Sequence, residues 1–68
     1  MQTIKLRDEF IKLGQVLKAA GLVGSGAEAK EVIADGLVKV NDEIELRRGR
    51  KLYENDIVSF DNEIIKII

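Results

Sequence analysis

Over residues 2–7 apolar and polar positions alternate, with Ile4 and Leu6 between Thr3, Lys5 and Arg7, and this period of two predicts a short strand. The period then lengthens. Leu13, Val16, Leu17 and Ala20 fall at i, i+3, i+4 and i+7 on one face of a helix, and Gly21 stands where a terminating glycine belongs. A second helix is punctuated at both ends. Ser25 and Glu28 form an S-x-x-E capping box, in which Ser25 caps an amide three residues on and Glu28 reaches back. Ala29, Val32 and Ile33 make its buried stripe, and Gly36 ends it. At about 100° per residue, Glu28, Glu31 and Asp35 gather on one flank, while Lys30 lies on the other with Ala27 and Ala34. The acidic flank repels polyanions, so the Lys30 side is the one a phosphate backbone would approach.

From Val38 the period returns to two. A three-residue turn at Asn41-Asp42-Glu43 sets Val40 opposite Ile44 and Val38 opposite Leu46, with Lys39 and Glu45 paired on the outer face. A two-residue turn at Asn41-Asp42 would set Val40 opposite Glu43, so the apolar pattern selects the longer turn. Arg47-Arg48-Gly49-Arg50-Lys51 reads as a loop, Leu52 returns to the core, and Tyr53-Glu54-Asn55-Asp56 reads as another turn. Residues 57–60 and 63–68 are predicted to close the fold as a hairpin around Asp61-Asn62, and the doubled isoleucines leave open which face of the last strand is buried.

With 68 residues the chain is expected to form one domain, 1–68. So short a chain removes only about 60% of its unfolded surface from water, which makes stability marginal and disfavours a deep cleft. It has no cysteine, hence no disulfide framework or thiolate metal site, and no histidine, the commonest general base and metal ligand. Carboxylates are plentiful, but none is paired in an apolar setting that would tune its acidity. Ser25 has no histidine partner, and no phosphate-cradling lysine motif is present. The expectation is therefore no catalysis, no metal, no cofactor and no small-molecule substrate. No apolar run approaches the roughly 18 residues that cross a bilayer. Met1-Gln2-Thr3-Ile4-Lys5 lacks the apolar stretch of a secretory signal, so no membrane association and a cytoplasmic location are expected.

A net charge of −1 argues against a polyanionic partner until its distribution is considered. Arg47, Arg48, Arg50 and Lys51 put four cations into five positions with no acid between them. Local patches steer polyanions; averages do not.

Lys12-Leu13-Gly14-Gln15-Val16-Leu17, then Ser25 through Ile33, Gly36 and Val38-Lys39-Val40-Asn41 resemble the S-four domain, the module named for small-subunit ribosomal protein four. The family's usual pattern is R-L-D-x-x-L, then S-R-x-x-A-x-x-x-I-x-x-G-x-V-x-V-N-G, then G-D before a late strand, and the match runs from about Lys12 to Phe60. Lys12 stands for the usual arginine, Gly14 for the aspartate and Gly26 for the arginine after the serine. Asp42 stands for the turn glycine and Asn55 for the glycine of G-D. Ser25-Gly26, Ala29-Lys30 and the basic loop are similar to the small stand-alone bacterial YaaA-like branch, in which the loop takes over the contact of the missing arginine. The resemblance implies an α+β fold of the alpha-L type, with two antiparallel helices packed on a small, mostly antiparallel sheet. It also implies binding to structured RNA, with ribosomal RNA the first expectation.

The candidate RNA-binding residues follow. Arg47, Arg48, Arg50 and Lys51 carry donors suited to phosphate oxygens, and Gly49 allows close backbone approach. At the start of the second helix Ser25 occupies one amide, leaving those of Gly26 and Ala27 at the positive end of the dipole, although a plain N-terminal cap explains the same residues equally well. Lys12 and Lys30 join through motif position, whereas Lys18 and Lys39 read as ordinary surface lysines. Tyr53 and Phe60 could each stack on a base; Phe60 reads rather as core, while Tyr53, which borders the basic loop, stays open between the two. Aromatic and basic residues do not interleave along the chain, which disfavours single-strand reading by stacking. The alternative for the loop is a solvated charged turn. The alternative function is a protein-interaction adaptor using the acidic flank of the second helix; a homodimer stays open.

Overall fold

A computed structural model describes residues 1–68. In chain order the elements are β1 (Gln2–Ile4), β2 (Ile11–Lys12), α1 (Leu13–Ala19), α2 (Gly26–Ala34), β3 (Val38–Val40), β4 (Glu43–Ile44), β5 (Lys51–Leu52), β6 (Ile57–Phe60) and β7 (Glu63–Ile67). Both helices stop at the expected glycines. Gly21 (φ 74°) and Gly36 (φ 76°) adopt the left-handed conformation. The next amides, of Leu22 and Leu37, reach back to the carbonyls of Leu17 and Val32, closing each helix with a Schellman motif. At the other end of α2, the Glu28 amide donates to Ser25 Oγ at 3.1 Å, as a cap requires. The Glu28 carboxylate accepts from the Gly24 amide at 2.7 Å, one residue earlier than a capping box places it.

The main sheet has the order β1-β7-β6-β3-β4, with only the β1/β7 pair parallel. Val38, Val40, Val58, Ile65 and Ile67 are buried on one face, in a single cluster with Leu13, Val16 and Leu17 of α1 and Ala29 and Ile33 of α2. Strand alternation settles the doubled isoleucines: Ile65 and Ile67 point inward, Ile64 and Ile68 outward. Phe60 packs half-buried against the cluster, as a core residue should. Strands β2 and β5 form a separate antiparallel ribbon, pairing Ile11 with Leu52 and Lys12 with Lys51. No helix is long and apolar enough to cross a membrane.

The β3–β4 hairpin departs from the sequence expectation. Val40 pairs with Glu43 and Lys39 with Ile44, so the turn has two residues, not three. Asn41 (φ 51°) and Asp42 (φ 69°) both take the left-handed conformation that a type I′ turn needs. Asn41 is tied to the start of β6. Its amide donates to the Ile57 carbonyl, its Oδ1 accepts from the Ile57 amide at 2.9 Å, and its Nδ2 donates to Asp56 at 3.0 Å. The shift turns Glu45 inward, with its amide on the Val38 carbonyl, and leaves Ile44 and Leu46 59% and 60% exposed. Those two side chains instead flank Gly36, where an added Cβ would meet them at 3.9 and 4.0 Å. Asp42 and Asn55 (φ 77°), which stand for family glycines, both fall at left-handed positions that short polar residues tolerate.

Candidate nucleic-acid interface

The inward turn of Glu45 organises the basic loop. The carboxylate is almost wholly buried, and burying a charge is costly unless it is paired and hydrogen-bonded. Here it accepts from the Arg47 amide (3.1 Å), Arg47 Nε (3.0 Å), Arg47 Nη2 (3.1 Å) and Arg50 Nη1 (2.8 Å). The hydrogen bonds of Arg47, then that of Arg50, outweigh the burial and lower its pKa to about 2. The loop is therefore not a uniformly solvated turn. Two of its three arginines are bonded to a buried acid, with Arg50 only one-third exposed and Arg47 still 73% exposed.

The loop is also pinned to α1. The Leu13 amide donates to the Arg50 carbonyl (2.9 Å) and the Gly14 amide to the Arg48 carbonyl (3.0 Å), satisfying helix N-terminal donors that would otherwise lack partners. A Cβ on Gly14 would lie 3.6 Å from that Arg48 oxygen and 3.9 Å from Ala29 Cβ, so any larger side chain would intrude between the loop and α2. An open concavity of about 350 Å³ results, lined by Lys12, Gly14, Gln15 and Lys18 of the α1 region, Gly26 and Ala29 of α2, and Arg48 and Gly49 of the loop. A neighbouring concavity shares Gly49 and is lined by Arg47, Arg50 and Lys51.

Of the residues singled out in the sequence, Lys12, Gly26 and Arg48 converge on the first concavity, and Arg47, Arg50 and Lys51 line the second. Ser25 and Lys30 line neither. Ser25 is engaged as the cap, and Lys30 sits one turn along α2 from Gly26, beyond the rim. No hydrogen bond engages the Gly26 and Ala27 amides, and open space surrounds Gly26, but the Glu28 carboxylate already occupies the same helix end. Lys18, read from the sequence as an ordinary surface lysine, is exposed and lines the first concavity one turn from Gly14 and Gln15. The register expected from the sequence puts Glu45 on the outer face, which hides its role; the two-residue turn buries it.

An α+β fold of two helices packed on a mostly antiparallel sheet is the architecture expected of the S-four resemblance, and comparison with known proteins bears this out. The S4 domain model matches residues 4–68, and the chain belongs to that family. It is 47% identical over 58 residues to the probable ribosome maturation protein RlbA of Bacillus subtilis (strain 168), covering 85% of this chain and 82% of that protein. It is 36% identical over 69 residues to the putative RNA-binding protein YbcJ of Escherichia coli (strain K12), covering 100% of this chain and 99% of that protein. The solution structure of YbcJ from E. coli, described as revealing an alphaL motif involved in RNA binding, superposes with a TM-score of 0.76 at 35% identity, covering 100% of this chain and 87% of that one.

Proposed function

We propose that this chain is a non-catalytic cytoplasmic protein that binds structured RNA, ribosomal RNA in particular, through the basic loop and the facing starts of the two helices. One observation carries the reading. Lysines and arginines from two segments, the α1 region and the basic loop, converge on two adjoining concavities, and no carboxylate lines either. Lys12 and Lys51 are even set directly opposite each other across the β2/β5 ribbon. Like charges so placed destabilise a sheet, and a bound phosphate would offset that cost. Family membership and the names of the RlbA and YbcJ relatives point the same way.

In this arrangement Arg48, Lys12 and Lys18 meet phosphate oxygens in the first concavity, where the side-chain-free Gly26 admits the backbone. Lys51 serves the second, whose shape Arg47 and Arg50 fix through their bonds to Glu45. Lys30 extends the patch along α2, and Ser25 acts by holding the helix start. Such contacts fix position on an RNA more than they read its sequence.

Sedimentation and filter binding test the reading. The protein should travel with ribosomal particles at low salt and be released as salt rises, and it should retain ribosomal RNA with an affinity that falls steeply with salt. Absence of RNA binding at low salt would favour the adaptor reading, with Glu31 and Asp35 on the acidic flank of α2 as its surface.

A further inference from the structure

The strand register creates an arrangement that the linear sequence lacks. In the β2/β5 ribbon Lys12 pairs with Lys51 and Ile11 with Leu52. Continuing by one pair sets Phe10 opposite Tyr53. Side chains alternate between faces, so Ile11 and Leu52 share the inner face while Lys12, Lys51, Phe10 and Tyr53 share the other. Contacts agree with that placement. Lys51 Nζ lies 4.7 Å from the Phe10 ring centroid, and the Phe10 and Tyr53 rings are 6.2 Å apart at 55°. Tyr53 is 45% exposed, although a full aromatic ring on so small a domain would gain from burial. Lys12, at the other end of this face, lines the first concavity. Phe10 lines an open groove on the N-terminal side together with Lys5, Arg7 and Gln15. Basic and aromatic side chains therefore do interleave, across strands rather than along the chain.

We infer that the Tyr53 ring, held by Phe10, stacks on an unpaired nucleobase of the bound RNA while Lys51 and Lys12 hold the adjacent phosphates. This rests on the RNA-binding reading and adds to it a preference for a loop, bulge or end over a continuous duplex. Duplex bases offer no free face, whereas an unpaired base can be splayed onto an aromatic ring. Tilted packing on Phe10 restrains the tyrosine before binding, which lowers the ordering cost. The cations supply affinity that depends on salt; the ring supplies affinity that does not.

The protein has one tyrosine and no tryptophan, so its intrinsic emission reports on Tyr53 alone. The probes are an RNA hairpin with an unpaired loop, the same stem as a blunt duplex, and heparin, a polyanion without bases. At low salt the hairpin should quench tyrosine emission, while the duplex and heparin leave it nearly unchanged. Tyr53→Leu, which keeps an apolar side chain but no π-face, should weaken hairpin binding by at least about fivefold without changing the salt slope. Tyr53→Trp should retain affinity, and its indole emission should be quenched in turn. Salt-sensitive hairpin binding with unchanged emission, or with undiminished affinity in Tyr53→Leu, would overturn the stacking inference while leaving the RNA reading intact. Failure of every RNA to bind the unmodified protein would overturn both. Should Tyr53→Leu not fold, quenching in the unmodified protein decides alone.

Discussion

Arg47 and Arg50 differ from Arg48 in what they touch, although all three stand in one short run. Arg47 and Arg50 converge on the buried Glu45 carboxylate, while Arg48 lines a concavity with Lys12 and Lys18 that contains no acid. The first pair of guanidinium groups makes burial of a charge tolerable and so fixes the shape of the loop. The second group leaves positive charge uncompensated at the surface. A basic run in a sequence can thus hold two jobs, one structural and one available to a ligand. Only the position of the acid, set by hairpin register, separates them.

Removing the acid or one of its partners should break the structural half most severely. Glu45→Ala deprives Arg50, itself partly buried, of its hydrogen bond, and Arg50→Gln leaves part of a buried carboxylate unsatisfied. Each should cost about 1–3 kcal/mol in urea unfolding, a large fraction of the stability of so small a domain. Had Glu45 paired with Lys39 on the outer face, as the apolar pattern indicated, its loss would be nearly neutral. A midpoint unchanged in both variants would therefore restore the three-residue turn.

A smaller effect sharpens the same distinction through pH. The Glu45 pKa is lowered in the folded protein from its ordinary 4.5 to about 2. Its contribution to stability is then fully present above the ordinary value and is lost as pH falls toward the folded value. Unfolding midpoints measured between pH 5 and pH 2 should drop on acidification, and Glu45→Gln should flatten that part of the profile. A profile of the same shape in both proteins would show that Glu45 is not the group responsible.

Much of this was legible in the sequence, for reasons that differ by element. The Ser25 cap, the glycines after both helices and the Asp61-Asn62 hairpin depend on local chemistry, which a short window contains. The Asn41-Asp42 turn has the same left-handed pair, yet the apolar pattern of Ile44 and Leu46 pointed to another register. That pattern misleads because burial of Glu45 is compensated by residues two and five positions further on, while Gly36 gives Ile44 and Leu46 a surface to lie against. Strands β2 and β5 have two residues each, too few to show any period, so the facing of Lys12 with Lys51 and the approach of Phe10 to Tyr53 could not be read. The candidate site was legible in its cations and hidden in its acid.

If Arg48, and not the Arg47–Glu45 pair, offers its charge to RNA phosphate as proposed, the salt slopes of two variants separate them. Filter binding of ribosomal RNA would be measured over a series of salt concentrations, at a temperature where each variant is shown to be folded. Arg48→Gln should keep the unfolding midpoint and reduce the slope of log affinity against log salt by about 1 or less. The double change Glu45→Gln/Arg47→Gln, which leaves net charge unaltered, should lower the midpoint and keep the slope. An undiminished slope in Arg48→Gln, with the slope lost instead in the charge-neutral double variant, would contradict the account.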